Sequence, residues 1–155
     1  MVIRSKLQLA VDELVIDRDL ADAIVRHCAV ALPNEGCGLL AGRLDGTSLV
    51  ASRLFPGTNQ LASPSRFAMD PAEVIAALTA IDRAGERLVA IVHSHPITEA
   101  YPSRTDLREA YYPEALLVIV SMAGAAPRLR AWWLTDCGGG ELGFAEVPIR
   151  VGARR

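Results

Sequence analysis

The chain has 155 residues, 51% of them hydrophobic and 22% charged, with 12 Gly and 9 Pro, the profile of one ordinary folded domain rather than of a disordered or fibrous chain. A formal net charge of −2 lacks the basic balance with which proteins neutralise phosphate, so nucleic acid is not the expected partner. A domain of this size buries roughly 68–70% of the surface its unfolded chain exposes, so it needs no disulfide or structural metal to fold, and any metal site must serve another purpose.

In chain order, Met1 to Val11 carries Arg4 and Lys6 but no long apolar run and no small-residue cleavage site. No stretch approaches the ~18 consecutive apolar residues of a membrane span, so a cytoplasmic protein without membrane association is expected. Leu14-Val15-Ile16 reads as a short strand. Asp17 then caps a helix over Arg18 to Ala31, whose Leu20, Ile24 and Ala31 recur at helical spacing and which Pro33 helps to stop. Cys37 to Ala41 and Leu49 to Phe55 are apolar runs joined by Asp45-Gly46, a hairpin signal, and Pro56 to Pro64 follows as a loop. Asp70-Pro71 pairs an N-cap with proline at the first helical position and Glu73 in the first turn, starting a helix that ends at Gly85. Leu88 to Val92 is continuously apolar, as in a strand buried on both faces. Thr105 or Ser103 caps a short helix through Tyr111, closed by Pro113. Ala115 to Val120 forms another apolar strand, and Arg128 to Leu134 pairs with Glu141 to Val147 around Gly138-Gly139-Gly140. One domain is expected over 12–149, with 1–11 and 150–155 as terminal extensions and Gly152 to Arg155 frayed. The order of elements gives a mixed α/β sheet packed between helices.

The stretch that carries chemistry is His93-Ser94-His95-Pro96 followed by Ser103-Arg104-Thr105-Asp106. On a strand, residues i and i+2 share a face, so His93 and His95 present two imidazoles side by side while Ser94 faces away. Pro96 turns the chain out of the sheet, and Asp106 can return a carboxylate to the same place. Two histidines and one carboxylate leave a fourth tetrahedral position open, the pattern of a catalytic zinc ion. Glu35, between the break at Pro33-Asn34 and the strand from Cys37, is the candidate general base. Ser103 is the candidate donor to an oxyanion.

Glu35, His93-x-His95-Pro96 and Ser103-x-x-Asp106, with residues 97 to 102 between the last two, resemble the JAMM (MPN-plus) metalloprotease motif at every position. Asn34 to Gly42 and Arg66-Phe67-Ala68-Met69-Asp70-Pro71 are similar to stretches of its small bacterial members, so the resemblance spans roughly Leu14 to Val147. It implies a mixed, mostly antiparallel sheet sandwiched by helices, of the cytidine-deaminase-like JAMM/MPN fold. It also implies one catalytic Zn²⁺ on His93, His95 and Asp106, with Glu35 as general base and Ser103 supporting the oxyanion. The implied reaction is hydrolysis of a peptide or isopeptide bond after the C-terminal Gly-Gly of a ubiquitin-like sulfur-carrier protein, releasing cysteine or a short extension. Two alternatives stay open: a non-catalytic MPN-type scaffold, and a metallopeptidase acting on short peptides.

Blander readings stand beside these. Two histidines on a strand are, as an isolated pair, more often hydrogen-bonded structural residues; Asp106 and Ser103 alone read as helix-capping groups; and the role of Glu35 rests mainly on the resemblance. Cys28, Cys37 and Cys137 have no CxxC spacing and read as structural thiols of a reducing compartment. His27 reads as a helix residue without a catalytic part. Of Trp132 and Trp133, which alternate on a strand, one is expected in the core and the other over a surface. Arg66, Arg104 and Arg108 are candidates for steering an acidic partner.

Overall fold

The computed structural model describes residues 2–108 and 112–153. Its elements run α1 (Lys6–Ala10), β1 (Glu13–Asp17), α2 (Arg18–Ala31), β2 (Cys37–Asp45), β3 (Ser48–Gly57), α3 (Pro71–Arg83), β4 (Arg87–His95), α4 (Arg104–Arg108), β5 (Leu116–Ser121), β6 (Arg128–Asp136), β7 (Leu142–Val147) and β8 (Ile149–Gly152). The eight strands form one sheet in the order β7-β6-β5-β4-β2-β3-β1-β8. The pairs β2–β3, β2–β4, β5–β6 and β6–β7 are antiparallel, while β1–β3, β1–β8 and β4–β5 are parallel. The sheet is therefore mixed and mostly antiparallel, as expected.

Local chemistry sets the helix ends. Asp17 accepts the Leu20 N–H at 2.8 Å and starts α2; Asp70 accepts the Ala72 N–H at 2.9 Å and, with Pro71, starts α3. Each satisfies a donor that the first helical turn leaves without a partner. Gly46 turns the β2–β3 hairpin at φ +62°, a conformation glycine adopts without the cost a Cβ imposes.

Strand alternation divides the interior in two. On one face α2 sends Ala21, Ile24 and Cys28 into a core with Leu40, Val92, Val118 and Trp133. Truncating fully buried Ile24 to alanine should cost about 2–5 kcal/mol. One residue out of phase, Leu39, Ile91 and Leu117 line a cleft with Val74 and Ile75 of α3 on the opposite face. A smaller cluster of Ala100, Leu117, Ile119 and Trp132 continues that face.

The structure corrects several expectations. Where fraying was expected from Gly152, β8 runs to Gly152 and pairs with β1 from Leu14↔Ile149 to Asp17↔Gly152; residues 154–155 lie outside the described residues. The N-terminal stretch holds a helix, capped by Ser5, whose buried Gln8 donates to Pro113 O at 3.1 Å and Leu134 O at 2.8 Å. Four- and five-residue elements are too short for periodicity to register. The loop expected from Pro56 begins two residues later, after Gly57. The helix expected to run through Tyr111 is observed as Arg104–Arg108, and residues 109–111 lie outside the described residues. Neither tryptophan covers an open surface, since both are buried: Trp133 in the main core and Trp132 beneath Tyr101 and Phe144, whose rings lie 5.0 and 5.4 Å away. Among the described residues no helix is long and apolar enough to cross a membrane.

Candidate functional site

The end of β4 is where the sheet delivers its polar side chains. His93, Ser94 and His95 are all buried, and the extended backbone sends the two imidazoles to one face and Ser94 to the other. The two Nε2 atoms lie 3.1 Å apart. Asp106, in the first turn of α4, brings Oδ1 to 3.1 Å from His93 Nε2 and Oδ2 to 3.2 Å from His95 Nε2.

Each group is held from behind. His95 Nδ1–H donates to Glu99 O at 2.7 Å; a carbonyl can only accept, so this bond places a hydrogen on Nδ1 and leaves Nε2 as the ring atom turned toward Asp106, the one that would ligate a metal. Glu99 is itself bracketed: Ser121 Oγ donates to Thr98 O at 2.6 Å and Trp132 Nε1 donates to Ala100 O at 3.0 Å. His93 is oriented differently, by the ring of Phe67 stacked on it at 4.8 Å and 19°. Asp106 is fixed by a reciprocal cap, its carboxylate accepting Ser103 N–H at 2.8 Å while Ser103 Oγ accepts Asp106 N–H at 3.0 Å. Of the two capping candidates it is Ser103 that starts α4, and its hydroxyl keeps a proton to donate elsewhere.

The electrostatics match a cation site. Burial would raise the Asp106 carboxyl, but the two imidazoles outweigh it and hold it far below the usual carboxylate range. Burial would lower His95, yet the Asp106 carboxylate, the Glu99 carbonyl and the charge of Glu35 leave it raised above 6.5. His93, His95 and Asp106 offer donor atoms all within 4.8 Å of one another. A tetrahedral zinc ion with ligand bonds of ~2.0–2.1 Å sets its donors ~3.3–3.4 Å apart. The two Nε2 atoms at 3.1 Å, each with one oxygen of the Asp106 carboxylate at 3.1–3.2 Å, lie close to that spacing, so two imidazole nitrogens and a carboxylate are placed to hold such an ion.

Glu35 reaches the same place from a distant segment. The β2–β4 register pairs Cys37 with His93, and beyond it Ser94 N–H donates to Gly36 O at 3.0 Å while Gly36 N–H donates to Ser94 Oγ at 2.8 Å. One step further, Glu35 falls level with His95, buried at 3% exposure. A Cβ at Gly36 would meet Cys28 Cα of α2 at 3.1 Å, so only glycine lets this segment press so closely on the helix. His27, half-buried on α2, binds Cys37 O through Nε2 at 2.8 Å.

Of the five residues singled out in the sequence, the structure clusters His93, His95 and Asp106, hydrogen-bonds Ser103 to Asp106 and sets the Glu35 charge near enough to raise His95. Cys37 is buried, and burial, with the charges of Glu73, Cys28 and Glu35, pushes its thiol up to about 12, which suits a structural thiol, since only the thiolate is reactive. Arg66 lines the cleft that leads away from Asp106, a cavity of 560 Å³ walled by apolar groups such as Met69, Val74 and Ile91. Arg104 is exposed on α4, and the side chain of Arg108 lies outside the described residues. Sequence reasoning missed Phe67, Ser121 and Trp132 as supports. Phe67 lay within the quoted stretch Arg66 to Pro71, which was a usable signal; a contact made by the Glu99 backbone leaves none.

Residues 17–135 match a family model described as prokaryotic homologs of the JAB domain. A CysO-cysteine peptidase of Mycobacterium tuberculosis is 44% identical over 108 residues, covering 70% of this chain and 73% of that protein. A desampylase of Haloferax volcanii is 34% identical over 116 residues, 72% of this chain and 82% of that one. A probable TtuB-protein conjugate cleaving protease of Thermus thermophilus is 38% identical over 98 residues, 63% of each chain. The solution structure of a protein from Desulfitobacterium hafniense superposes with a TM-score of 0.79 at 32% identity, covering 91% of this chain and 94% of that one.

Proposed function

This chain belongs to the family of prokaryotic JAB-domain homologues, and from that premise we propose that it is a zinc-dependent hydrolase that cuts after the C-terminal glycine of a ubiquitin-like sulfur-carrier protein. The bond is a peptide or isopeptide bond, and the product leaving with the new amine is cysteine or a short C-terminal extension. The observation that carries this reading is the convergence of His93 Nε2, His95 Nε2 and the Asp106 carboxylate at 3.1–3.2 Å, with Glu35 buried beside them. The relatives named as a CysO-cysteine peptidase, a desampylase and a probable TtuB-protein conjugate cleaving protease support this reading. We place the hydrolase domain at 12–149, with 1–11 and 150–155 as terminal extensions, and the protein in the cytoplasm.

His93, His95 and Asp106 would hold the metal. A bound Zn²⁺ supplies Lewis-acid polarisation of the scissile carbonyl and lowers the pKa of water at its open position to about 7. The rest falls to the chain's own side chains. Glu35, desolvated and level with His95, takes the proton of the attacking water and passes it to the leaving amine, which would otherwise depart as an anion. Ser103 donates its hydroxyl proton to the oxygen on which negative charge develops, while its lone pair stays on Asp106 N–H. The Ser103 backbone N–H holds Asp106 Oδ2 at 2.8 Å, so the same residue steadies a ligand and serves the transition state.

The test is cleavage of a ubiquitin-like carrier extended beyond its terminal Gly-Gly, with and without a chelator, by the native chain and by Glu35→Gln. Native activity should be chelator-sensitive and restored by zinc. Glu35→Gln should bind zinc but lose about 10²–10⁴-fold in turnover. Full turnover in that variant overturns the assigned base. Cleavage of short peptides with indifference to the carrier body selects the short-peptide metallopeptidase, and no cleavage by the zinc-loaded chain selects the scaffold.

A further inference from the structure

Asn59 lies outside the motif and touches none of the groups that would contact substrate or metal, yet its side-chain amide makes four hydrogen bonds. Nδ2 donates to Glu35 O at 3.0 Å and to Arg66 O at 3.0 Å. Oδ1 accepts Leu61 N–H at 3.1 Å and Ala68 N–H at 3.1 Å. Two carbonyls can only accept and two backbone N–H groups can only donate, so the amide's orientation is fixed by its partners and its donor and acceptor capacity is filled.

The positions of those partners matter more than their number. Arg66 O and Ala68 N–H flank Phe67, the residue stacked on His93 at 4.8 Å. Glu35 O belongs to the residue assigned as general base, whose N–H donates to Ser63 O of the same loop at 2.8 Å. The loop is further tied by the Asn59↔Met69 bridge and by Gln60 N–H donating to Ala68 O at 2.8 Å.

We propose that Asn59 is a positioning residue of the hydrolytic site, a single amide that fixes the Glu35 backbone and the Phe67 ring on His93 relative to each other. Base and metal ligand reach the site from segments far apart in sequence, and the Asn59 amide bonds toward both. A displacement on the order of 1 Å at reacting groups can cost ~10²-fold in rate, so this tie acts on turnover rather than on substrate affinity. The inference rests on the hydrolase reading for its kinetic part; its structural part stands apart from it.

Two variants separate the two ties. Asn59→Ala removes all four bonds. Asn59→Asp keeps the two accepted bonds that hold Leu61 and Ala68 and loses both donated ones, including the bond to Glu35. Zinc content, kcat and KM on an extended carrier, and the imidazole proton resonances of His93 are measured for each, with Phe67→Leu marking the shift caused by losing the ring. Asn59→Ala should bind zinc stoichiometrically, move the His93 resonance toward its position in Phe67→Leu, and lower kcat by about 10–100-fold at unchanged KM. Asn59→Asp should keep the His93 resonance near its native position and still lose kcat. Native kcat in Asn59→Asp, or an unmoved His93 resonance in Asn59→Ala, overturns the proposal. Should Asn59→Ala not fold, the kcat of Asn59→Asp decides. Should the native zinc-loaded chain cleave no carrier, the hydrolase reading fails, while the His93 resonance still judges what Asn59 holds.

Discussion

The two sides of the site are built in opposite ways. The cation side is mostly local: His93, His95 and Asp106 come from one strand end and one short helix, with the intervening loop supplying Glu99 O to His95 and Ser103 to Asp106, while the Phe67 ring stacked on His93 comes from elsewhere. The base side is assembled: Glu35 is fixed by Ser63, Asn59 and, through Gly36, Ser94. A locally built unit keeps its geometry as long as its own few hydrogen bonds form. An assembled one depends on loop, strand and helix packing all being right, so it should fail by loss of rate before it fails by loss of metal.

The largest expected effect tests the local unit. Asp106→Asn removes the carboxylate whose charge both imidazoles stabilise, and an amide is a poor ligand beside two histidines. Zinc measured per chain should fall to background, and hydrolysis should vanish with it and stay lost when zinc is added. Retained stoichiometric zinc would show that the two histidines suffice and that the local unit is not a three-ligand site. The next effect in size comes from the other side: Glu35→Gln should lose turnover with zinc intact. If both variants lose metal alike, the contrast between the two sides collapses.

Ser103 belongs to both descriptions, as cap and as oxyanion donor, and two substitutions pull these apart. Ser103→Ala removes the cap, at about 1 kcal/mol of stability, whereas glycine at an N-cap costs only a few tenths. Loss of an oxyanion donor costs ~10²–10³ in turnover whichever residue replaces it. Both variants should therefore lose rate alike, while thermal denaturation should separate them by a few degrees, with Ser103→Gly the more stable. A rate loss that tracks stability instead would reduce Ser103 to a cap.

The contrast between local and assembled also explains what the sequence made legible. The ligand set shows because alternation on a strand and a fixed loop length are properties of neighbouring residues: His93 and His95 had to share a face, and Asp106 had only one loop in which to return. The helices at Asp17 and Asp70-Pro71 show for the same reason, since caps act within three residues. Glu35 is a carboxylate near a helix end with no periodic signal, and only its likeness to a known motif marks it. Asn59 looks like any loop asparagine, because the four groups it binds are backbone atoms whose meeting depends on the folded loop. Trp132 shows the limit within a strand: alternation correctly sends it and Trp133 to opposite faces, but that Tyr101 and Phe144 cover it is a fact of the 96–102 loop and β7.

The smallest expected effect probes how far the local unit is truly local. His95 presents Nε2 because Glu99 O holds Nδ1–H at 2.7 Å, and a backbone carbonyl has no substitution of its own. Its neighbours do: Ser121 Oγ and Trp132 Nε1 pin Thr98 O and Ala100 O on either side of it. Partners that orient a ligating histidine from behind are worth about 10–100-fold in metal affinity, and these two act one step further out. Ser121→Ala and Trp132→Phe, the latter keeping an aromatic ring against Tyr101 and Phe144, should each weaken zinc by less than that, measured by chelator competition. The double variant should lose more than either alone, because the carbonyl moves freely only once both flanks are released. Native affinity in the double variant would mean that the 96–102 loop holds Glu99 by itself, making the cation side more self-contained than its hydrogen bonds indicate.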